Sequence, residues 1–188
     1  MNQRPWLWLV AGPNGAGKST YAREQLTGLE VVGADEPGGA RFEAGRRAVQ
    51  RRSELLGERR SFAIETTLSG RRHLELVRQA GSQGWNIGMI YIGLASADLA
   101  IQRVRERVAQ GGHDVPAADV RRRYERSLRN LPLICAAVDR LTVLDNSSAR
   151  APMKRLLEAS RGRLVFRQGR LPRWLSAALG ATLPPRGQ

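Results

Sequence analysis

The chain has 188 residues, a size that suits one domain with a buried core, spanning 1–188. Its 41% hydrophobic content, single cysteine and lack of any apolar run near the ~20 residues of a membrane helix read as a soluble, cytoplasmic protein, with no disulfide and no visible signal peptide. The formal charge of +14 is carried by arginine, since Lys18 and Lys154 are the only lysines among 31 basic residues. A GC-rich genome produces that skew, and the arginines spread over several segments without interleaved aromatics. Nucleic-acid binding is therefore the sharper but less favoured reading of the charge.

In chain order, Trp6–Val10 is a short apolar run, predicted as a buried strand. Gly12-Pro13-Asn14-Gly15-Ala16-Gly17-Lys18-Ser19 follows and matches G-x-x-x-x-G-K-[ST], the phosphate-binding P-loop. Thr20–Gln25 continues as a helix, so strand, glycine loop and helix start stand in the order the motif requires. Backbone N–H groups of the loop would cradle phosphate oxygens, with Lys18 on the β/γ-phosphates and Ser19 on Mg²⁺. Glu30–Gly33 is a second strand, leading to Asp35. Arg41–Leu56 is a helix with Phe42, Ala48, Val49, Leu55 and Leu56 as apolar positions. Phe62–Thr66 is a third strand, Gly70–Ala80 a helix and Asn86–Ile92 a fourth strand. Ser96 is the expected N-cap of a helix over Ala97–Ala109, stopped by Gly111-Gly112. Asp119 is expected to cap a further helix to about Leu131, interrupted at Pro132. Leu141–Asp145 is the fifth strand, Arg163–Arg167 a short edge strand and Pro172–Leu179 the last helix, before a frayed tail at 180–188. The expectation is an α/β P-loop kinase fold: a parallel five-stranded sheet with helices on both faces and an arginine-rich helical lid at about 103–126.

Ligands of such sheets sit beyond the carboxyl ends of the strands. The loops carrying Lys18, Asp35 and Glu65 should open on one crevice. Asp35 is placed to orient and deprotonate an attacking hydroxyl, the alternative being a turn residue before Pro37-Gly38-Gly39. Glu65 interrupts an apolar strand, where an unpaired charge is costly, so it is read as binding a substrate hydroxyl or a metal-bound water rather than facing solvent. Arg103, Arg105 and Arg107, then Arg121, Arg122, Arg123 and Arg126, flank Gly111-Gly112-His113-Asp114-Val115-Pro116. Guanidinium forks there could clamp phosphate oxygens; the plainer alternative is a solvated helix face. Val120, Tyr124, Leu128 and Leu131 form the packed face of that second arm. His73 is expected on a helix surface, and Cys135 as a buried structural thiol. Neither histidine has ligand-spaced neighbours, so no zinc site is expected.

The P-loop, Asp35, Glu65-Thr66-Thr67-Leu68, and Gly111-Gly112-His113-Asp114-Val115-Pro116 followed by Arg122-Arg123-Tyr124 together resemble the zeta toxin family, in its small single-domain form, over about Trp6 to Asp145. The resemblance implies phosphoryl transfer from ATP (or GTP) with Mg²⁺ to a hydroxyl of a small molecule, a nucleotide sugar such as UDP-N-acetylglucosamine, and an antitoxin protein as a partner. By that similarity Gly12, Asn14, Gly15, Ala16, Gly17, Lys18, Ser19 and Thr20 hold nucleotide and metal, with Arg107 and Arg122 on the phosphates. Asp35 is the base, Glu65 and Thr67 contact the acceptor, and Lys18, Arg107 and Arg123 join Asp35 in catalysis. Rival readings are a nucleotide-binding or ATPase module, for which Asp145 would be the strand-end carboxylate, and a polynucleotide 5′-kinase.

Overall fold

The structure is a computed structural model that describes residues 4–33 and 41–180. Its framework is one sheet in the order β2-β3-β1-β4-β5-β6-β7. The strands are β1 (Trp6–Ala11), β2 (Glu30–Val32), β3 (Phe62–Thr66), β4 (Asn86–Gly93), β5 (Arg140–Asp145), β6 (Lys154–Ser160) and β7 (Arg163–Arg167). The first five pair in parallel, as the alternation of strands and helices implies. The sheet does not stop there: β6 and β7 add an antiparallel hairpin, so it is mixed and seven-stranded rather than parallel and five-stranded.

β7 coincides with the predicted edge strand Arg163–Arg167, whereas β6 escapes a reading by period. Lys154–Ser160 buries two consecutive leucines, Leu156 and Leu157, so it lacks the alternation of a half-buried strand. Its turn is Arg161-Gly162, both at positive φ (48° and 74°), between the paired Ser160 and Arg163. That is the two-residue turn whose twist suits a hairpin, with arginine where asparagine or aspartate is the usual signal.

Side-chain alternation sorts the central strands onto two cores. Leu7, Leu9 and Ala11 of β1, with Ile87, Met89 and Tyr91 of β4, pack in one core. There they meet α2 (Arg41–Gly57), α3 (Arg72–Ser82) and α6 (Arg173–Leu179). Val10, Ile90 and Ile92 face the other core, with α1 (Lys18–Gln25) and α4 (Ala97–Ala109). α5 (Ala117–Cys135) serves both: Val120 and Tyr124 pack in the second core, Leu131 and Ile134 in the first.

The run of α5 across the sheet is fixed by polar contacts at the strand ends. Tyr124 Oη donates to the Leu94 carbonyl at 2.9 Å, just past β4. The buried hydroxyls of Tyr91 and Ser127 lie 2.9 Å apart, and Asn130 Nδ2 donates to the Leu68 carbonyl at 2.8 Å, just past β3. The middle of α5, from Tyr124 to Asn130, thus lies against the carboxyl ends of β3 and β4. Pro132 does not interrupt this helix; Leu131 and Ile134, fully buried on either side of it, hold the helical path through the lost amide bond. Ser96 caps α4 as expected, accepting from the Leu99 amide, whereas α5 starts at Pro116 with Asp119 in its first turn. Cys135 is half-buried, and burial pushes its thiol up to about 12, consistent with a structural role. No helix among the described residues is long and apolar enough to cross a membrane.

Candidate active site

The P-loop leaves the carboxyl end of β1, the strand flanked by β3 and β4, where successive crossovers diverge to either side. Gly12 sits at φ 142°, and its amide donates to the Thr66 carbonyl of β3 at 3.2 Å. Gly17 is the N-cap of α1 in the left-handed conformation, without a side-chain cap, and the first turn of α1 has no acidic residue. The amides at this helix start are therefore left to an external anion. The side-chain oxygen of Asn14 is buried without a hydrogen-bond partner among the described residues, a further polar atom for a ligand. Lys18 Nζ donates to the Pro13 carbonyl at 2.9 Å, so it curls over its own loop.

Ser19 and Thr20 are exposed at the mouth, and Ser19 Oγ donates to Glu65 Oε2 at 2.8 Å. Glu65 pairs in register with Val10 on the strand beside β1. Among the described residues, the strand-end carboxylate bonded to the start of the P-loop helix is thus Glu65. Asp145 ends β5, one strand further out beyond β4, and caps its own turn by accepting from the amide and hydroxyl of Ser147.

The segment after β3 is built to hold a fixed shape. Leu68 adopts a positive φ of 55°, unusual for a branched side chain. Its amide donates to Thr66 Oγ1 at 2.9 Å, while its carbonyl accepts from Asn130. Thr67 Oγ1 lies 2.9 Å from Ser69 Oγ, leaving it half-buried at the crevice edge. Thr66 Oγ1 is also hydrogen-bonded to His73 Nδ1 at 3.2 Å. His73 is therefore no surface residue: its ring is half-buried in the first turn of α3. Burial, and then the charge of Arg52, lower its pKa to about 4.

That shift has a defined sign. The folded pKa lies below the unfolded value near 6.5, so the unfolded chain takes the proton first. Stability should be fully present above about pH 6.5 and fall as the pH drops towards 4, by at most about 3 kcal/mol and less to the extent that water reaches the ring. Urea titrations of the parent and His73→Gln across this range check it. A slope shared by both chains would assign the loss to other groups.

The two arms of the predicted lid fall on α4 and α5, with Arg122, Arg126 and Arg129 exposed and Arg123 half-buried. Val115 of the connecting loop is buried in the second core, which anchors that loop. Arg107 Nη2 donates to the His113 carbonyl at 2.7 Å, and Arg122 pairs with Asp119 at 2.9 Å. Neither contact brings these arginines to the P-loop. Arg103 comes closer: a Cβ on Gly15 would lie 3.0 Å from Arg103 Cβ. Asn146 was not singled out by any motif, yet its Nδ2 donates to the Ala16 carbonyl at 3.0 Å, turning that acceptor away from the loop interior. Only the sequence position just after a strand end could have signalled it. Asp35 lies outside the described residues, as do Pro37-Gly38-Gly39 and the tail beyond 180.

A parallel 2-3-1-4-5 core with a glycine-lysine loop after its central strand is the P-loop kinase fold. No protein-family model matches the chain. An uncharacterized protein of Haemophilus influenzae is 28% identical over 138 residues, 64% of this chain and 99% of that one. Among solved structures, a chain of the AvrRxo1-ORF1:AvrRxo1-ORF2 complex with ATP has a TM-score of 0.70 at 14% identity, covering 97% of this chain and 64% of that one. A chain of the PezAT chromosomal toxin-antitoxin system of Streptococcus pneumoniae has a TM-score of 0.62 at 14% identity, covering 96% of this chain and 85% of that one. The present chain thus has a zeta-toxin-like fold, and spans less than two thirds of the AvrRxo1 chain it matches.

Proposed function

We propose that this protein is a single-domain, cytoplasmic phosphotransferase that moves the γ-phosphoryl group of ATP (or GTP) to a hydroxyl of a small molecule. A nucleotide sugar such as UDP-N-acetylglucosamine is the acceptor that the zeta-toxin resemblance suggests. The observation that carries the reading is the 2.8 Å bond from Ser19 to Glu65, which joins the first turn of the P-loop helix to the carboxylate of the neighbouring strand. One protein hydroxyl and one carboxylate beside nucleotide phosphates suit Mg²⁺, which keeps most of its shell for water and phosphate. When bound, Mg²⁺ would neutralise charge on the transferring phosphoryl group.

The loop's own groups do the rest. Amides around Gly15 and Gly17 and at the start of α1 hold the phosphates, and Lys18 turns from the Pro13 carbonyl onto them. Arg103, beside Gly15, is the lid arginine nearest that point, and Arg107 and Arg123 reach it on closure of the lid. Asp35, directly after β2, takes the proton of the acceptor hydroxyl; the position of β2 at the edge next to β3 supports that role. Glu65 orients Ser19 and the metal's water, and Thr67 faces the acceptor. Two of the matched structures are complexes or systems with a second protein, which supports an antitoxin as partner.

The test is transfer of labelled γ-phosphate to a panel of nucleotide sugars, nucleosides and oligonucleotides, with products identified by mass spectrometry. Labelling of a nucleotide sugar is expected. Labelling of oligonucleotides alone would favour the polynucleotide reading, and release of phosphate without transfer the ATPase. Glu65→Gln should raise the Mg²⁺ concentration needed for half-maximal rate by roughly tenfold or more, since it keeps an oxygen that can accept from Ser19 but removes the negative charge beside the metal. An unchanged Mg²⁺ requirement would return Glu65 to a purely acceptor-facing role.

A further inference from the structure

The antiparallel hairpin and the short helix after it carry an unbalanced charge. Residues 146–180 hold eight cationic side chains, Lys154 and seven arginines, against one carboxylate, Glu158. That surplus of seven is half of the formal charge of +14. All eight cations are exposed, and among the described residues the ion pair within this stretch is Arg155 with Glu158 at 3.3 Å. The neighbouring carboxylates are turned to other groups: Asp139 accepts from the Ile87 amide and Asp145 from Ser147. In sequence these arginines look scattered; the fold gathers them on one flank.

They form a row with a direction. β7 leaves the Arg161-Gly162 turn beside the start of β5 and runs back to the end where Lys154 pairs with Asp145. Arg163 and Arg167, ~13 Å apart at the rise of a strand, therefore step along the outer edge of the sheet towards the P-loop end. Arg170 follows. With Lys154, Arg173 and Asp145 it lines a cavity of about 240 Å³ over Leu156 and Leu171.

Another β-strand fits this edge poorly. Val165 is an extra residue in the ladder, between Leu164 opposite Ala159 and Phe166 opposite Glu158. A bulge flanked by charges blunts strand pairing. A second copy added antiparallel about Val165 would set Arg163 against Arg167, like charge against like. A flexible polyanion meets neither obstacle. Guanidinium forks bind phosphate oxygens in bidentate fashion, and one row of cations suits one phosphodiester strand. The ring of the hairpin, Phe166, is half-buried with the Arg155 guanidinium 4.2 Å above it, so contacts fall on the backbone rather than on stacked bases.

We propose that the outer flank of β6 and β7, with the start of α6, binds single-stranded nucleic acid through its phosphates and leads the strand to the crevice end of the sheet. β6 and β7 stand beyond β4 and β5 from the P-loop strand, so this binding is independent of the kinase reading.

The probe is a fluorescein-labelled oligouridylate of about 16 nucleotides, titrated into the full chain without nucleotide over a range of salt. The parent should bind it, and its log affinity should fall against log salt with a slope of about −4, roughly 0.7 for each of Lys154, Arg161, Arg163, Arg167, Arg170 and Arg173. The triple variant Arg161→Gln, Arg163→Gln, Arg167→Gln should bind roughly tenfold or more weakly and flatten the slope by about 2. Its affinity for a non-hydrolysable ATP analogue should stay within about twofold of the parent's, because these side chains lie off the P-loop. An equal loss of charge at α3, by Arg71→Gln, Arg72→Gln and Arg78→Gln, should leave oligonucleotide binding within about twofold, since those exposed residues lie outside the row. Should the hairpin triple fail to fold, Arg163→Gln and Arg167→Gln decide the matter singly, each flattening the slope by about 0.7. Three results overturn the proposal: a parent that does not bind, equal weakening in the hairpin and α3 variants, or displacement of the probe by polyglutamate as readily as by unlabelled oligouridylate.

Discussion

Lys18→Ala is expected to lower phosphoryl transfer by roughly 10²–10³-fold, the scale for removing one donor aimed at developing charge. The fold should survive. Lys18 is half-exposed at the start of α1, and its bond to the Pro13 carbonyl is one that water can replace. The remaining amides of the loop still present a partly positive helix start, so some affinity for nucleotide should persist while turnover collapses. The measurement is a paired one: kcat and KM for ATP, with the melting temperature of the same preparation. Full turnover in a folded Lys18→Ala chain would show that the loop binds phosphate without acting on it, and the ATP-dependent reading would fall.

The parallel core was legible because its signals are local and redundant. The strand before the P-loop, the loop glycines and the helix after it each follow from a few adjacent residues. The boundaries of β3 and α4 coincide with their predicted ranges for the same reason. What stayed hidden was set by tertiary contact. His73 looks like a surface residue until α3 turns it towards Thr66. Asn146 belongs to no motif, because its partner, the Ala16 carbonyl, lies 130 residues away. Arg52 reads as one charge among many in an arginine-rich helix, and only the burial of Ala48 and Leu55 shows that it occupies a core position. The lid arginines illustrate the converse. Their spacing is legible, but which of them borders the loop depends on how α4 docks, and Arg103 is the one brought against Gly15.

Gly12→Ala is expected to destabilise the chain by more than about 4 kcal/mol, a large share of the ~5–15 kcal/mol that holds a domain of this kind together. Two costs coincide. At φ 142° the backbone is in a region that side chains rarely adopt, and a Cβ there would stand 2.1 Å from the carbonyl oxygen of Ile92. That oxygen belongs to the backbone of β4, which pairs with β1 up to Tyr91 and with β5 at Ile92 itself, and is buried between two cores. No rotamer change can relieve the clash; the central strands must part, or the P-loop must tilt and break the bond from the Gly12 amide to Thr66. Gly28→Ala is the control, since nothing lies within 4 Å of its added Cβ and its φ is not positive. With ~2–4 °C of melting temperature per kcal/mol at this size, Gly12→Ala should melt at least about 10 °C below the parent or fail to fold, and Gly28→Ala should stay within a few degrees. A Gly12→Ala chain that melts with the parent would mean that β1 and β4 do not approach as closely at the loop as the structure has them. The phosphate site would then lose the close backbone packing from which its geometry follows.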